Sequence, residues 1–318
     1  MHQIEKFFTA LGTVNSLSLN VPDPMSEKAL LTVREISGRV QNLDRTLSVF
    51  LKDSEISRIA EAAGMNPVPV SRETLLLIEK SVSWSHITDG AFDISAGPLI
   101  RLWEIGKKGS YVPSDADIRK AVSLINADDI LTDRESMTAG LRRPGQSLDL
   151  GSIAKGYAAD AAAEMLQKSG IMDFTVSFGG TVLTGDLPKK IGIRNPFDKR
   201  GAPIGTIVMK NQAAVTSGSY EHSFRKDQRL YHHILNPKTG YPAETNLASV
   251  TLTGSSAEEL DVITTMVFVQ GVEKTMPVLK ERNIEGTFIF NTGELFITPG
   301  LAGNFQKEVN QNVKSVIS

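Results

Sequence analysis

The chain of 318 residues contains no cysteine. That absence excludes disulfides, thiolate metal centres, cysteine nucleophiles and a lipid-bearing N-terminal cysteine. Aromatic residues make up only 6% of the chain, and no apolar stretch approaches the length of a membrane-spanning helix. Charge of either sign is nearly balanced, with a formal net charge of -2, so no global basic field draws the protein to nucleic acid or to an anionic membrane surface. The N-terminal stretch MHQIEKFFTALGTVNSLSLN lacks the basic head and apolar core of a secretion signal, which makes a cytoplasmic location the expectation. Repeats, low-complexity tracts and long linkers are missing too.

What is present has the balance of a soluble globular protein, 41% hydrophobic and 22% charged. Residues 10–20 alternate in the manner of an opening strand, and SEKALLTVREISGRVQNLDRTLSVF, from Ser26, carries apolar residues at helical spacing. A second helical run, SRETLLLIEKSVSWSHIT, opens on Ser71, and a short helix is expected behind Pro113 and Ser114. The segments INADDILTDRES and GLRRPGQS read as strands and turns leading to Leu148–Leu150. From FTVSFGGTVLTG to the C-terminus, short strand-like runs dominate, separated by Gly, Pro and Asn. One helix, SAEELDVITTMVFVQG, interrupts them, with Ser255 or Ser256 as its cap. The order predicts a single α+β domain over residues 1–318, with mixed and antiparallel sheets flanked by helices.

Several short constellations carry chemistry. Asp261 and Thr265 lie four apart on the interrupting helix, so a carboxylate and a hydroxyl share one face. The pair reads either as a polar helix face or as two hard oxygen ligands suited to Mg²⁺ or Ca²⁺ rather than zinc. Val262, Met266, Val267 and Phe268 make that helix apolar, and a carboxylate among them needs a partner. In DLGSIAKGYAAD, from Asp149, a glycine-punctuated turn feeds a helix of alanine-rich sequence that ends at Gly170. It reads as a capped structural helix or as an anion site with Lys155 adding charge. It is not a Walker A loop, because Gly156 follows Lys155. Three of the five histidines, His222, His232 and His233, fall in one short region. On a strand His232 and His233 point to opposite faces, so one of the two serves a given site. In TDGAFDISAGPLIRLWEIG, Phe92, Leu99 and Trp103 read as core, and Gly97 with Pro98 keeps one helix from running through the middle.

Taken in order, ALGT, DSEISRI, TDGAFDISAGPLIRLW, DLGSIAKGYAAD, the Gly179–Gly180 strand, VTSGSYE, HHILNPKTGYP and LDVITTMVFVQG resemble the FAD:protein FMN transferase family, also called the ApbE family. The resemblance implies cleavage of the FAD pyrophosphate and transfer of FMN to a Ser or Thr of a target flavoprotein, with release of AMP and Mg²⁺ as the metal. It implies that Asp149 and Lys155 lie at the bound FAD and that Ser152, through its backbone carbonyl, joins Asp261 and Thr265 at the metal. Ala91, Phe92, Asp93, Leu11 and Phe50 fall at flavin- or adenine-contacting positions. His233 matches the histidine of the family's H-I-I-D-P-x-T-G stretch and is the candidate base for the acceptor hydroxyl. The chain departs from the family pattern at Leu11, Ser152, Ser177, Phe178, Thr181 and Asn236, which puts some cofactor contacts in question. Two other activities fit the same residues: a Mg²⁺-dependent FAD pyrophosphatase, and a flavin-binding protein without transfer.

Overall fold

In the computed structural model, which describes residues 1–106, 109, 111–198, 200–308 and 315–317, the chain opens with a tight hairpin. Leu11 and Gly12, with φ of 53° and 71°, form the two-residue turn between β1 (His2–Ala10) and β2 (Thr13–Val21). Such a turn follows the strand twist when both central residues are left-handed. Leucine carries a Cβ into that region, so Leu11 stores local strain. The first strand is missed by its pattern, because β1 buries only Ile4, Phe8 and Ala10 at the edge of the sheet.

Helix α1 (Ser26–Leu47) buries Ala29, Val33, Ile36, Val40, Leu43 and Leu47, the stripe its spacing dictates. There follow α2 (Glu55–Glu61), β3 (Val68–Pro69) and α3 (Arg72–Ile87), whose cap is the Ser71 hydroxyl accepting from the Thr74 N–H. Pro98 sits in the first turn of α4 (Gly97–Trp103), where a missing N–H removes no helical bond. Ser114 caps α5 (Asp115–Val122), and β4 (Ile130–Asp133) with β5 (Thr138–Leu141) and β3 forms a small sheet.

Helix α6 (Ala154–Lys168) leads to β6 (Phe174–Phe178) and β7 (Thr181–Thr184). Gly179 and Gly180 form the two-residue turn between these strands rather than a bulge. The close approach they permit is to protein: a Cβ at Gly180 would stand 2.6 Å from the Thr216 carbonyl oxygen. Strands β8 (Lys189–Arg194), β9 (Pro203–Met209), β10 (Ala213–Gly218), β11 (Ser223–Lys226), β12 (Arg229–His232) and β13 (Leu247–Gly254) follow. Two helices, not one, come next: α7 (Ala257–Gln270) and α8 (Val272–Glu281). Pro277 inside α8 hides that helix from a pattern reading, yet Thr275 and Leu279 bury its inner face. The chain closes with β14 (Glu285–Phe290), β15 (Leu295–Ile297), α9 (Pro299–Ala302), β16 (Phe305–Lys307) and β17 (Ser315–Ile317).

The main sheet runs in the order β1-β2-β6-β7-β10-β13-β14-β15-β17, antiparallel except where β15 meets β17. Helices α1, α6 and α7 contribute to the main core. A second core joins Ile204, Ile207 and Met209 of β9 to Ala214, Ile289 and Ile297 of the main sheet. A third packs Leu99 and Trp103 of α4 against Ile118, Ala121 and Leu235. The architecture is α+β, and no helix among the described residues is long and apolar enough to cross a membrane.

Candidate active site

Helices α6 and α7 hold each other by exchanging carboxylates. No side chain caps the N-terminus of α6 locally, where Ile153 is the N-cap residue. Instead Oδ2 of Asp261, from α7, accepts the Gly156 N–H at 3.1 Å. In return Asp160 of α6 accepts from the N–H groups of Ala257 and Glu258 at 2.8 and 2.9 Å and from the Ser256 hydroxyl at 2.8 Å. Each carboxylate thus meets the positive end of the opposite helix. Burial pushes the Asp160 pKa up, against these hydrogen bonds and the Lys80 charge, which favour the ionised form. The helices can approach this closely because position 156 has no side chain: a Cβ there would lie 2.3 Å from the Ala257 carbonyl oxygen.

Asp261 is buried, and its counter-charge comes from α6 as well. The Lys155 ammonium stands 3.7 Å from Oδ2 and donates to the Gly151 carbonyl at 2.8 Å. No hydrogen bond among the described residues engages Oδ1 of Asp261. One turn on, the Thr265 hydroxyl is 3.4 Å from the Asp261 carbonyl oxygen, and Ser152 lies half-buried in the turn before α6. Among the described residues no group of three or more His, Cys, Asp and Glu side chains is placed to hold a metal. The available donors are one carboxylate, hydroxyls and backbone carbonyls, a set that fits a hard cation such as Mg²⁺ and not zinc.

Two further residues support Asp261, and sequence reasoning missed what they do. The Ser217 hydroxyl on β10 donates to Thr264 Oγ1 at 2.9 Å, and Thr264 donates to the Asp261 carbonyl at 2.9 Å. The adjacent threonines of the helix were the only signal, and it is the β10–α7 packing that reveals the chain of bonds.

Beside this pair opens a cleft of about 380 Å³, within the usual range for small-molecule sites. Gly97, Ile100, Arg101 and Glu104 present one face of α4 and its end, while Phe50, Asp149 and His233 line other walls. Phe50 is 68% exposed at the cleft. Asp149 Oδ1 accepts the Gly151 N–H at 2.8 Å, and its own N–H donates to the Ile94 carbonyl at 2.8 Å. That second bond ties the segment before α6 to the one that carries Ala91, Phe92 and Asp93.

His233 is an exposed residue that lines the cleft, its ring edge-on to that of His222 with centroids 5.4 Å apart. Desolvation pushes its pKa down to about 4, and the charges of His222, His232 and Lys155 act in the same direction. The imidazole is therefore neutral at pH 7 and able to accept a proton. Asp149 joins the cleft to the Asp261 pair, since its Oδ1 accepts the N–H of Gly151, whose carbonyl takes the Lys155 ammonium. His232 faces away as the strand alternation requires: it is buried, with Nε2 3.0 Å from the Ala243 carbonyl.

Other predicted residues are engaged within the fold. Ala91 and Phe92 are buried, and Phe92 belongs to the main core. Asp93 Oδ1 accepts from the Ser95 N–H and hydroxyl, at 2.8 and 2.6 Å, and Oδ2 accepts from Ser85 at 3.2 Å. Leu11 packs partly buried on the main core at its hairpin turn. None of these four lines the cleft. Asn236 keeps the turn-forming role of an aspartate, since its Oδ1 accepts the N–H of Lys238 at 2.9 Å and of Thr239 at 3.4 Å.

Comparison with known proteins places the whole chain, not its individual site residues, in a family. Residues 11–288 match the profile of the ApbE family. The FAD:protein FMN transferase of Klebsiella pneumoniae (strain 342) is 36% identical over 261 residues, covering 81% of this chain and 82% of that protein. The protein of the same name from Vibrio cholerae is 29% identical, over 89% of this chain and 86% of its own. Among solved structures, the ApbE protein of Thermotoga maritima superposes with a TM-score of 0.84 at 29% identity, covering 96% of this chain and all of that one. The flavin transferase ApbE of Vibrio cholerae superposes with a TM-score of 0.81 at 26% identity, over 96% of each chain. The chain belongs to the ApbE family.

Proposed function

We propose that this chain transfers the FMN portion of FAD to a Ser or Thr hydroxyl of an acceptor flavoprotein and releases AMP. The observation that carries the reading is the pairing of Lys155 with the buried carboxylate Asp261, 3.7 Å apart at the start of α6, in a member of this family. The relatives named FAD:protein FMN transferase support it.

The roles follow from the chemistry. Phosphoryl transfer needs negative charge on the phosphates offset and a nucleophile held in line. Lys155 offsets charge on the pyrophosphate, and Asp149 with Phe50 lines the space that takes the dinucleotide. His233 accepts the proton of the acceptor hydroxyl as its oxygen bonds to the FMN phosphorus and the bond from that phosphorus to the AMP oxygen breaks. Asp261, Thr265 and the Ser152 carbonyl are the residues that would hold Mg²⁺, which supplies Lewis-acid neutralisation of the phosphate oxygens.

Incubation with FAD, Mg²⁺ and a candidate acceptor flavoprotein, followed by flavin fluorescence on a denaturing gel, tests the proposal. A fluorescent acceptor band that disappears when Mg²⁺ is withheld is the expected result. Free FMN and AMP with an unlabelled acceptor mark a pyrophosphatase, and intact bound FAD marks a carrier; either contradicts the proposal.

A further inference from the structure

Lys155 is held near Asp261 by charge rather than by a hydrogen bond. Its ammonium donates to the Gly151 carbonyl at 2.8 Å but stands 3.7 Å from Asp261 Oδ2. Charge-assisted N–H to carboxylate bonds are shorter, about 2.7–2.9 Å. The Asp261 side chain is only 5% exposed, whereas that of Lys155 is 28% exposed and has room to move. A backbone carbonyl and a carboxylate are also the donors that a hard divalent cation selects. The ammonium therefore stands among the kinds of oxygen that such a cation would use.

We infer that Lys155 is a resident counter-ion. It neutralises Asp261 while no divalent cation is bound, and it is driven from Asp261 into the cleft when one binds. The inference rests on Asp261 being the metal carboxylate. A buried carboxylate left without a counter-charge is strongly destabilised, and the Gly156 N–H supplies only a partial one. An ammonium and a divalent cation within a few ångströms repel strongly at an effective dielectric constant of about 20. Lys155 thus opposes the metal at Asp261 and, once displaced, adds its charge where the polyphosphate binds. By linkage, metal binding strengthens anion binding through this one side chain.

The full-length protein is titrated with Mg²⁺ alone in a calorimeter, without FAD, as wild type, Lys155→Met, Lys155→Arg and Asp261→Asn. FAD affinity is measured separately by fluorescence in EDTA. Lys155→Met should bind Mg²⁺ on the order of tenfold more tightly than wild type. Lys155→Arg should stay close to wild type, and Asp261→Asn should lose the binding. In EDTA, Lys155→Met leaves the Asp261 charge unneutralised near the phosphates and should bind FAD more weakly, an opposite movement of the two affinities that a merely structural role does not produce. If Lys155→Met is too unstable for calorimetry, Lys155→Gln and the Mg²⁺-induced rise in Tm provide the same comparison, with a larger rise than in wild type expected. Mg²⁺ affinity in Lys155→Met equal to or below wild type, with Asp261→Asn still abolishing binding, overturns the counter-ion role alone. Mg²⁺ binding that survives Asp261→Asn, or is absent from every form, overturns the metal assignment and the inference with it.

Discussion

Asp261 serves two partners at once, the Gly156 N–H and the Lys155 ammonium, so its replacement should separate structure from chemistry. Asp261→Asn keeps an oxygen for the Gly156 N–H and removes the charge. We expect a folded protein with transfer reduced on the order of a thousandfold, read from initial rates at saturating Mg²⁺. His233→Ala should slow transfer by about a hundredfold or more without loss of FAD binding. Because the folded pKa of His233 is about 4, below its ordinary value of 6.5, the acid limb of kcat/KM should fall near the lower value. The same shift affects stability. Above pH 6.5 both folded and unfolded forms leave this ring neutral; as the pH falls towards 4 the unfolded chain takes up the proton first, and stability is lost. Urea midpoints between pH 7 and 4 should fall less steeply for His233→Gln than for wild type, with the remaining slope partly due to His232, whose pKa burial also lowers. At this scale the sequence is informative where spacing is local, as for Asp261 with Thr265 and for Lys155 behind Asp149. It is silent on Ser217 and Thr264, whose contact spans 47 residues and exists only because β10 packs on α7.

Helices α6 and α7 act as one unit because each supplies the carboxylate that the other's N-terminus needs. The junction at Asp149–Asp160 therefore has a structural and a chemical half: Asp160 anchors α7, while Lys155 faces Asp261. One N–H of the α6 N-terminus is committed to Asp261, so this helix end offers an anion less than its sequence suggests, and Lys155 carries more of that role. Gly156→Ala tests the unit. The added methyl would meet backbone 2.3 Å away, so the helices must part, and we expect a loss of about 3 kcal/mol in urea unfolding together with loss of transfer. Apolar periodicity makes α1 and α3 legible, the Pro113–Ser114 start signal makes α5 so, and the alanine-rich and apolar runs behind Asp149 and Ser256 do the same for α6 and α7. It fails for α8, where Pro277 reads as a break, and for β1, whose exposed edge has no clean alternation.

Over the whole molecule, strands from both ends of the chain enter one sheet, β1 at one edge and β17 at the other. We propose that residues 1–318 form one cooperative domain. Trp103 is fully buried in the small core of α4 and α5, whereas Trp84 stacks near Arg282 beside the main core. Unfolding followed by tryptophan fluorescence and by far-ultraviolet circular dichroism should therefore give coincident transitions; a fluorescence transition well ahead of the other would divide the chain into independent parts. The α+β class is readable from the order of helical and strand-like runs. The nine-stranded order of the sheet is not, because it joins strands far apart in sequence, such as β2 with β6 and β7 with β10. The cleft is equally non-local, assembled from the segment after α1, from α4, from Asp149 and from His233. We propose that this assembly is the one that takes FAD. The most direct test is a time course that measures AMP released and, by peptide mass mapping, FMN esterified to a Ser or Thr of the acceptor. We expect one AMP for each FMN attached, with both slowed on the order of a thousandfold in Asp261→Asn; AMP release with no modified acceptor residue would overturn the proposed transfer.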